Sequence, residues 1–400
     1  MTRGCEPPSV CDCRIFLHSP PHLDRLILNR LRDLIAILIS GLSNRMSREA
    51  TPYELVDRQC NQQQVVAVLR KYRKDSKEAE EEVRLGGLKE DNIANLRRCV
   101  SLRIIPFWEV VTLIRDSEEN GHQHVFYYRP KGAIRQLCRN ADEIIELLWG
   151  DEFAEQQFPQ FERIPETYVW ADFRKEIPGK PRDWIAKVYG HEIHRDFQDE
   201  QEEFEGDFVK VIRQYKQEII RTVCLVRWND PDILEVRIDM REVKNSTVIP
   251  QRLEQVWRLM SPALSHADLP PWNLGEVALN LIGNRKQKKR DYRLSIIKIL
   301  DSGSGHVFFY PNTSDEGVDD VPERGASLDR LVNGGGECQA MVINWLAPEN
   351  PSEGEHPLKK KLRTKIVGDD LNEVIIDSRR DAPSIDYVTN QFRQSDRSTS

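Results

Sequence analysis

The sequence predicts an α+β protein, with a mainly helical N-terminal domain and a C-terminal antiparallel or mixed sheet backed by helices. Three observations carry that prediction. Before residue 150, apolar side chains recur at steps of three and four, the period of a helix packed on one side. After residue 207 the period shortens to two in several runs, most cleanly over Ile233–Arg241. The 400 residues are 39% hydrophobic and 31% charged, which supplies more than one core and argues against a disordered chain.

Residues 1–49 read as an irregular arm followed by an amphipathic helix. Leu23, Ile27, Leu31, Leu34, Leu38 and Leu42 form its stripe, which suits docking to a protein partner or self-association. The apolar run is too short for a membrane span, which takes about 20 residues, and it makes a poor export signal, so no membrane partner is expected. Residues 50–150 read as a mainly helical domain with one strand or hairpin. Thr51-Pro52-Tyr53-Glu54 has the pattern of a capping box, and Val65, Val66, Val68, Leu69 and Tyr72 continue an apolar face. Further helices are expected over Glu90–Val100, after Pro106 and after Asn140, with a strand at His122–Arg129.

Residues 151–207 show few clean periods and read as an aromatic-rich, charged connector ending in the acidic stretch Asp199–Asp207. Residues 208–394 form the α+β domain. Phe208–Thr222 looks helical and then extended, and Val223–Trp228 reads as a strand. In Ile233–Arg241, Leu234, Val236, Ile238 and Met240 face a covered side, and Glu235, Arg237, Asp239 and Arg241 face water. Helices follow around Val256 and Leu281. Strands follow at Tyr292–Leu300, His306–Tyr310, Cys338–Leu346, Leu362–Val367 and Glu373–Ile376, and a last helix runs from Ser384 to Phe392. Residues 395–400 read as a frayed tail.

The net charge of −7 excludes a uniformly basic polyanion binder. Its distribution is uneven. Residues 1–207 hold 30 basic and 37 acidic side chains, and the remainder is balanced, with its positive charge clustered. Eight scattered cysteines without a CxxC pair fit a reducing, cytoplasmic setting.

Several constellations carry possible chemistry. Cys5, Cys11, Cys13, His18 and His22 have zinc-ligand chemistry without knuckle spacing. His191 and His194 would share a face on a helix, but the metalloprotease pattern needs a four-residue step. Asp232, Glu242 and Lys244 hold the letters of a metal-dependent nuclease, two carboxylates for Mg²⁺ and a lysine for the attacking water, although one strand separates the acids. The basic runs are denser. Arg285, Lys286, Lys288, Lys289, Arg290 and Arg293 form one, and Lys359, Lys360, Lys361, Arg363 and Lys365 form the other. If they converge they neutralise several phosphates. Arg97, Arg98 and Arg103 would flank a winged helix-turn-helix if the His122–Arg129 strand were its wing.

The leading expectation is therefore a non-enzymatic binding or regulatory protein that contacts nucleic acid through the two basic runs, with no cofactor and no metal. The alternatives are a nuclease or related hydrolase using Asp232, Glu242 and Lys244, and a structural subunit of a protein assembly. Opposite charge also suggests that Asp199–Asp207 covers the basic runs in the absence of ligand.

Overall fold

The computed structural model describes residues 51–74, 81–155, 160, 164–177, 179–240, 248–313, 316–348, 356–377 and 381–396. The predicted Leu23–Leu42 helix and the Cys5, Cys11, Cys13, His18 and His22 group lie outside them. Helices α1 (Pro52–Gln59), α2 (Gln62–Arg73), α3 (Lys89–Ser101) and α4 (Phe107–Glu119) come first. Strand β1 (Gln123–Tyr128) precedes α5 (Gly132–Cys138) and α6 (Ala141–Trp149). Next come β2 (Val169–Ile177), β3 (Lys180–Glu205), β4 (Phe208–Asn229) and β5 (Ile233–Asp239). Helices α7 (Val248–Met260) and α8 (Gly275–Asn284) lead to β6 (Tyr292–Leu300), β7 (His306–Phe309) and α9 (Pro322–Asn333). The last elements are β8 (Glu337–Trp345), β9 (Leu362–Val367), β10 (Glu373–Ile376) and α10 (Ala382–Ser395).

The fold is α+β. All ten strands join one antiparallel sheet in the order β2-β3-β4-β5-β1-β10-β9-β8-β6-β7. The capping box at Thr51 forms: its hydroxyl accepts from the Glu54 amide at 3.3 Å, and the Glu54 carboxylate accepts from the Thr51 amide at 2.8 Å. Val56, Val65, Leu69, Leu96, Val110 and Ile114 then build the core of α1–α4.

The two halves of the sheet bury opposite faces. On the β6–β10 half, Leu294, Ile297, Met341, Ile343 and Ile366 pack under Val277, Leu281, Leu328, Ile385 and Phe392 of α8, α9 and α10. On the β1–β5 half it is the other face that is apolar, where Tyr128, Trp184, Val226, Trp228 and Leu234 meet Val256, Trp257 and Met260 of α7. Full burial of one such side chain contributes about 1.5–3 kcal/mol.

The remaining face of the β1–β5 half differs from its sequence reading. Glu235 and Arg237, expected in water, are buried. Arg237 lies 2.5 Å from Glu235, and Arg227 bridges Asp183 at 3.0 Å and Asp386 of α10 at 2.6 Å. Closer to α4, Lys187 meets Glu118 at 3.1 Å and Glu119 at 3.0 Å, and Arg221 pairs with Glu118. Period-two alternation reports that a strand has two unlike faces. It does not report whether the polar face meets water or other charges.

That network also explains the reading of residues 151–207. Asp172, Asp183 and Lys187 are buried polar residues that erase the apolar period, yet the segment supplies the whole of β2 and β3. Phe208–Thr222 is extended throughout. The predicted wing is also corrected. β1 lies mid-sheet between β5 and β10, Arg98 pairs with Glu82, and Arg97 covers the Tyr53 ring.

β3 and β4 outrun their neighbours. Pairing of β2 to β3 stops at Tyr189, and pairing of β5 to β4 stops at Cys224. From Gly190↔Thr222 to Glu205↔Phe208 the two strands pair only with each other, with one bulge between Phe197 and Asp199. At 3.2–3.4 Å per residue this ribbon is about 50 Å long. Gly206, at φ +62°, makes the turn that a side chain would strain.

Candidate functional site

On the β6–β10 half the face opposite α8–α10 stays open at β6, β7 and β9. Register places Arg293 of β6 opposite Asn344 of β8, and Asn344 opposite Arg363 of β9. Two residue pairs further along, Val342 faces Lys365. Directly paired residues share a face, so Arg293, Asn344, Arg363 and Lys365 lie on one surface, with neighbouring strands about 4.8 Å apart. Lys298 joins them through its pairing with Ala340, and it also faces Phe308 of β7. Its ammonium sits 5.6 Å from the Phe308 ring centre, and Phe308 stacks on Tyr310 at 5.9 Å and 11°. Both rings are about half exposed.

Asn344 is the unusual member of this surface. Its side chain is 1% exposed, and neither its amide nitrogen nor its oxygen has a hydrogen-bond partner. An unsatisfied buried polar group costs about 1–3 kcal/mol. The alkyl stems of Arg293 and Arg363, which flank it, can shield an amide in this way. Arg363 and Lys365 have no ion-pair partner among the described residues, and Arg293 lies 3.9 Å from Asp320.

The two predicted basic runs meet here in part. Arg293 ends the first, and Arg363 and Lys365 end the second. Lys288, Lys289 and Arg290 are exposed in the turn before β6 and lack ion partners among the described residues. Beside them a cavity of about 570 Å³ is lined by Lys289, Arg290, Arg293, Asp319 and Asp320.

Arg285 and Lys286 line the same cavity but are held in ion pairs, and Lys359 and Lys360 lie at another cleft. Arg285 is buried, 3.0 Å from Asp319 and 2.6 Å from Asp329, and Lys286 also takes Asp329 at 2.7 Å. Burial pushes the Asp329 carboxyl up, but hydrogen bonds from Lys286 and Arg285 outweigh it and hold its pKa below the usual value. Lys359 lies 3.7 Å from Asp381 at the start of α10, and with Lys360 it borders a different cleft, shared with Asn61, Gln64 and Asp116. Lys361 adjoins β9 and is half-buried.

Sequence reasoning missed Lys298, Phe308, Tyr310 and Asn344. The signal for the first three was present, since strict alternation in β6 and β7 sets them on the face opposite Ile297, Ile299 and Phe309. Asn344 had no comparable signal, because its exposure depends on what flanks it across two strands.

The other constellations resolve differently. The Asp232 carboxylate is held between Arg129 and Arg393, each 3.2 Å away, which disfavours a divalent cation there. Glu242 and Lys244 lie outside the described residues. His191 and His194 are on a strand, so an odd step puts them on opposite faces. The His191 ring contacts the Pro165 carbonyl oxygen at 2.8 Å. Among the described residues no cluster of three or more His, Cys, Asp or Glu side chains is arranged to hold a metal ion.

The acidic stretch of the ribbon is not beside the basic surface, because β4, β5, β1 and β10 separate β3 from β9. No helix among the described residues is long and apolar enough to cross a membrane. Comparison with protein-family models, with curated proteins and with solved structures returns no match, so the architecture stands on the geometry above.

Proposed function

We infer that the protein binds single-stranded nucleic acid on the open face of β7, β6, β8 and β9, as a non-enzymatic binding protein. The observation that carries this is the row Arg293–Asn344–Arg363, two cations on either side of an unpaired amide. The guanidiniums suit phosphates. The Asn344 amide lies beneath the Arg293 and Arg363 stems, so its donors and acceptors reach a base edge only when those stems move aside. Phe308 and Tyr310 supply a stacking platform, worth about 1–3 kcal/mol per base in proteins of this kind. An open strand face bearing exposed rings favours a single strand with splayed bases over a duplex, whose bases are already stacked. The described cysteines are free and buried, which suits a reducing compartment such as the cytoplasm.

The test is fluorescence anisotropy with labelled 12-nucleotide single strands and the matching duplex, at several salt concentrations. Tighter binding of the single strand, weakened at least tenfold in the double variant Arg293→Ala/Arg363→Ala, is the expected result. Equal binding by the variant, or preference for duplex, would overturn the reading.

A further inference from the structure

The β3–β4 ribbon has one mainly apolar face and one mainly polar face, and the mainly apolar one is open. Cross-strand partners share a face, so the rungs Ile193–Ile219, Arg195–Gln217, Phe197–Tyr215, Glu200–Arg213, Glu202–Val211 and Phe204–Val209 all project to one side. The other side carries His194–Glu218, Asp196–Lys216, Asp199–Gln214, Gln201–Ile212 and Glu203–Lys210, with Phe208 exposed at the turn, so it is mainly but not wholly polar. Ile219 is tethered to the core of α1–α4 at the root of the ribbon. Beyond it the apolar side chains are exposed, from 46% at Ile193 and Val211 to 75% at Phe204. Phe197 and Tyr215 touch edge-to-face at 6.0 Å and leave their outer surfaces open. An isolated hairpin is marginally stable in water, and exposed apolar rungs on one, here interrupted by Arg195–Gln217 and Glu200–Arg213, call for a cover.

We propose that this face is the dimer interface of the protein, and that its occupant is the same face of a second copy. A two-fold axis through the Phe197–Tyr215 rung superposes each rung on its mirror position along the partner ribbon. That operation puts Arg195 over Glu200 of the second copy, and Glu200 over Arg195 of the second copy. It also puts Ile219 over Val211 of the second copy, and Ile193 over Glu202. The Phe197–Tyr215 rung packs on its own copy, and Arg195 joins Glu200, which Arg213 already holds at 2.6 Å, in a charge cluster across the interface. Arg195 is exposed and has no ion-pair partner among the described residues, so the cluster supplies one.

Edge-to-edge pairing is disfavoured by the same ribbon. Within residues 191–204 the β3 edge is mostly acidic, and within 208–222 the β4 edge carries Lys210, Arg213, Lys216 and Arg221. A two-fold pairing of either edge with itself sets like charges side by side. The area is sufficient. The open apolar side chains and their flanking polar rungs offer about 600 Å² per copy, so face-to-face packing buries about 1,200 Å² in total, where stable interfaces begin. The interface is separate from the β6–β9 surface and does not depend on its role.

Sedimentation equilibrium of the full chain, over a hundredfold concentration range, tests the proposal. The wild type is expected to be a reversible dimer. Phe197→Asp and Arg195→Glu are expected to raise the dissociation constant at least tenfold. Lys216→Asp, on the opposite face of the same ribbon, should leave it unchanged. Circular dichroism confirms that each variant is folded, which is expected because every substituted side chain is exposed. A wild type that stays monomeric overturns the proposal, as does a dimer indifferent to Phe197→Asp and Arg195→Glu.

Discussion

Asn344 and Glu235 are both buried polar residues, and the difference between them is whether their partners are present. Glu235 is fully satisfied. Burial pushes its pKa up, but Arg237 and Arg227, with hydrogen bonds from Asn229 and Arg237, outweigh that and hold it at about 2. Removing the charge takes from buried Arg237 its carboxylate partner and weakens the field that also holds Arg227, so Glu235→Gln should cost about 3 kcal/mol at pH 7. The sign of the pH dependence follows from the depressed value. The stabilisation is complete above the unfolded carboxyl pKa of about 4.3 and is lost as pH falls toward 2. Urea melts should therefore show a constant gap between wild type and Glu235→Gln from pH 7 to about pH 5, closing below. Asn344 is the opposite case. Asn344→Leu should leave stability unchanged or raise it by about 1 kcal/mol, because an unpaired amide is removed, while oligonucleotide affinity falls. A melt showing clear destabilisation would mean that the amide is satisfied in solution and is not held for a ligand.

Among the elements, the ribbon is the one least expected from sequence. Its β3 strand holds Asp196, Asp199, Glu200, Glu202 and Glu203, residue types that disfavour strands. What sustains it is pairing across the two strands: Glu203 with Lys210 at 3.0 Å, Glu200 with Arg213 at 2.6 Å, and Phe197 with Tyr215. Each such pair contributes roughly 0.2–1 kcal/mol. The ion pairs lie 7 and 13 residues apart in sequence, but a reading by apolar period follows one strand at a time and does not score pairing across a turn. The helices were legible for the converse reason. Thr51 and Glu54 sit three residues apart, and the Ser384–Phe392 stripe that α10 buries, Ile385, Val388 and Phe392, lies within three turns. Because the outer ribbon touches little of the body, replacing residues 195–217 with an Asn-Gly turn should change unfolding free energy by no more than about 0.5 kcal/mol in a urea melt. The same deletion should abolish dimerisation.

For the whole molecule, the basic surface and the sheet make separate predictions. Binding to single strands should weaken linearly in log–log plots against salt, by about 0.7 in slope for each phosphate neutralised. Arg363→Ala should flatten that slope by about one contact, whereas Lys359→Ala, which faces another cleft, should not. The sheet draws strands from residues 123 to 376, so the helical N-terminal region and the strands near the C-terminus share a hydrogen-bonded body. The sequence reading separated them because it judged each run by its own period, and no period reports that β1 pairs with both β5 and β10. Denaturation followed at Trp108 in α4 and at Trp345 in β8, each as the remaining reporter tryptophan, should give coincident transitions. Two resolved midpoints would contradict a shared body.

The position of β1 also bears on how the chain is made. One of its edges is satisfied by β5, some hundred residues later, but the other waits for β10, the last strand of the sheet to leave the ribosome. Until residues 373–376 have been made, Gln123–Phe126 presents an open row of backbone donors and acceptors beside a growing apolar face. The four residues Glu373–Ile376 close it. Such a long-range closure is slow. A nascent chain stalled shortly before residue 373 should therefore be far more prone to aggregate than one stalled before β2 is made, and a short tetrapeptide strand thereby governs the yield of the whole protein.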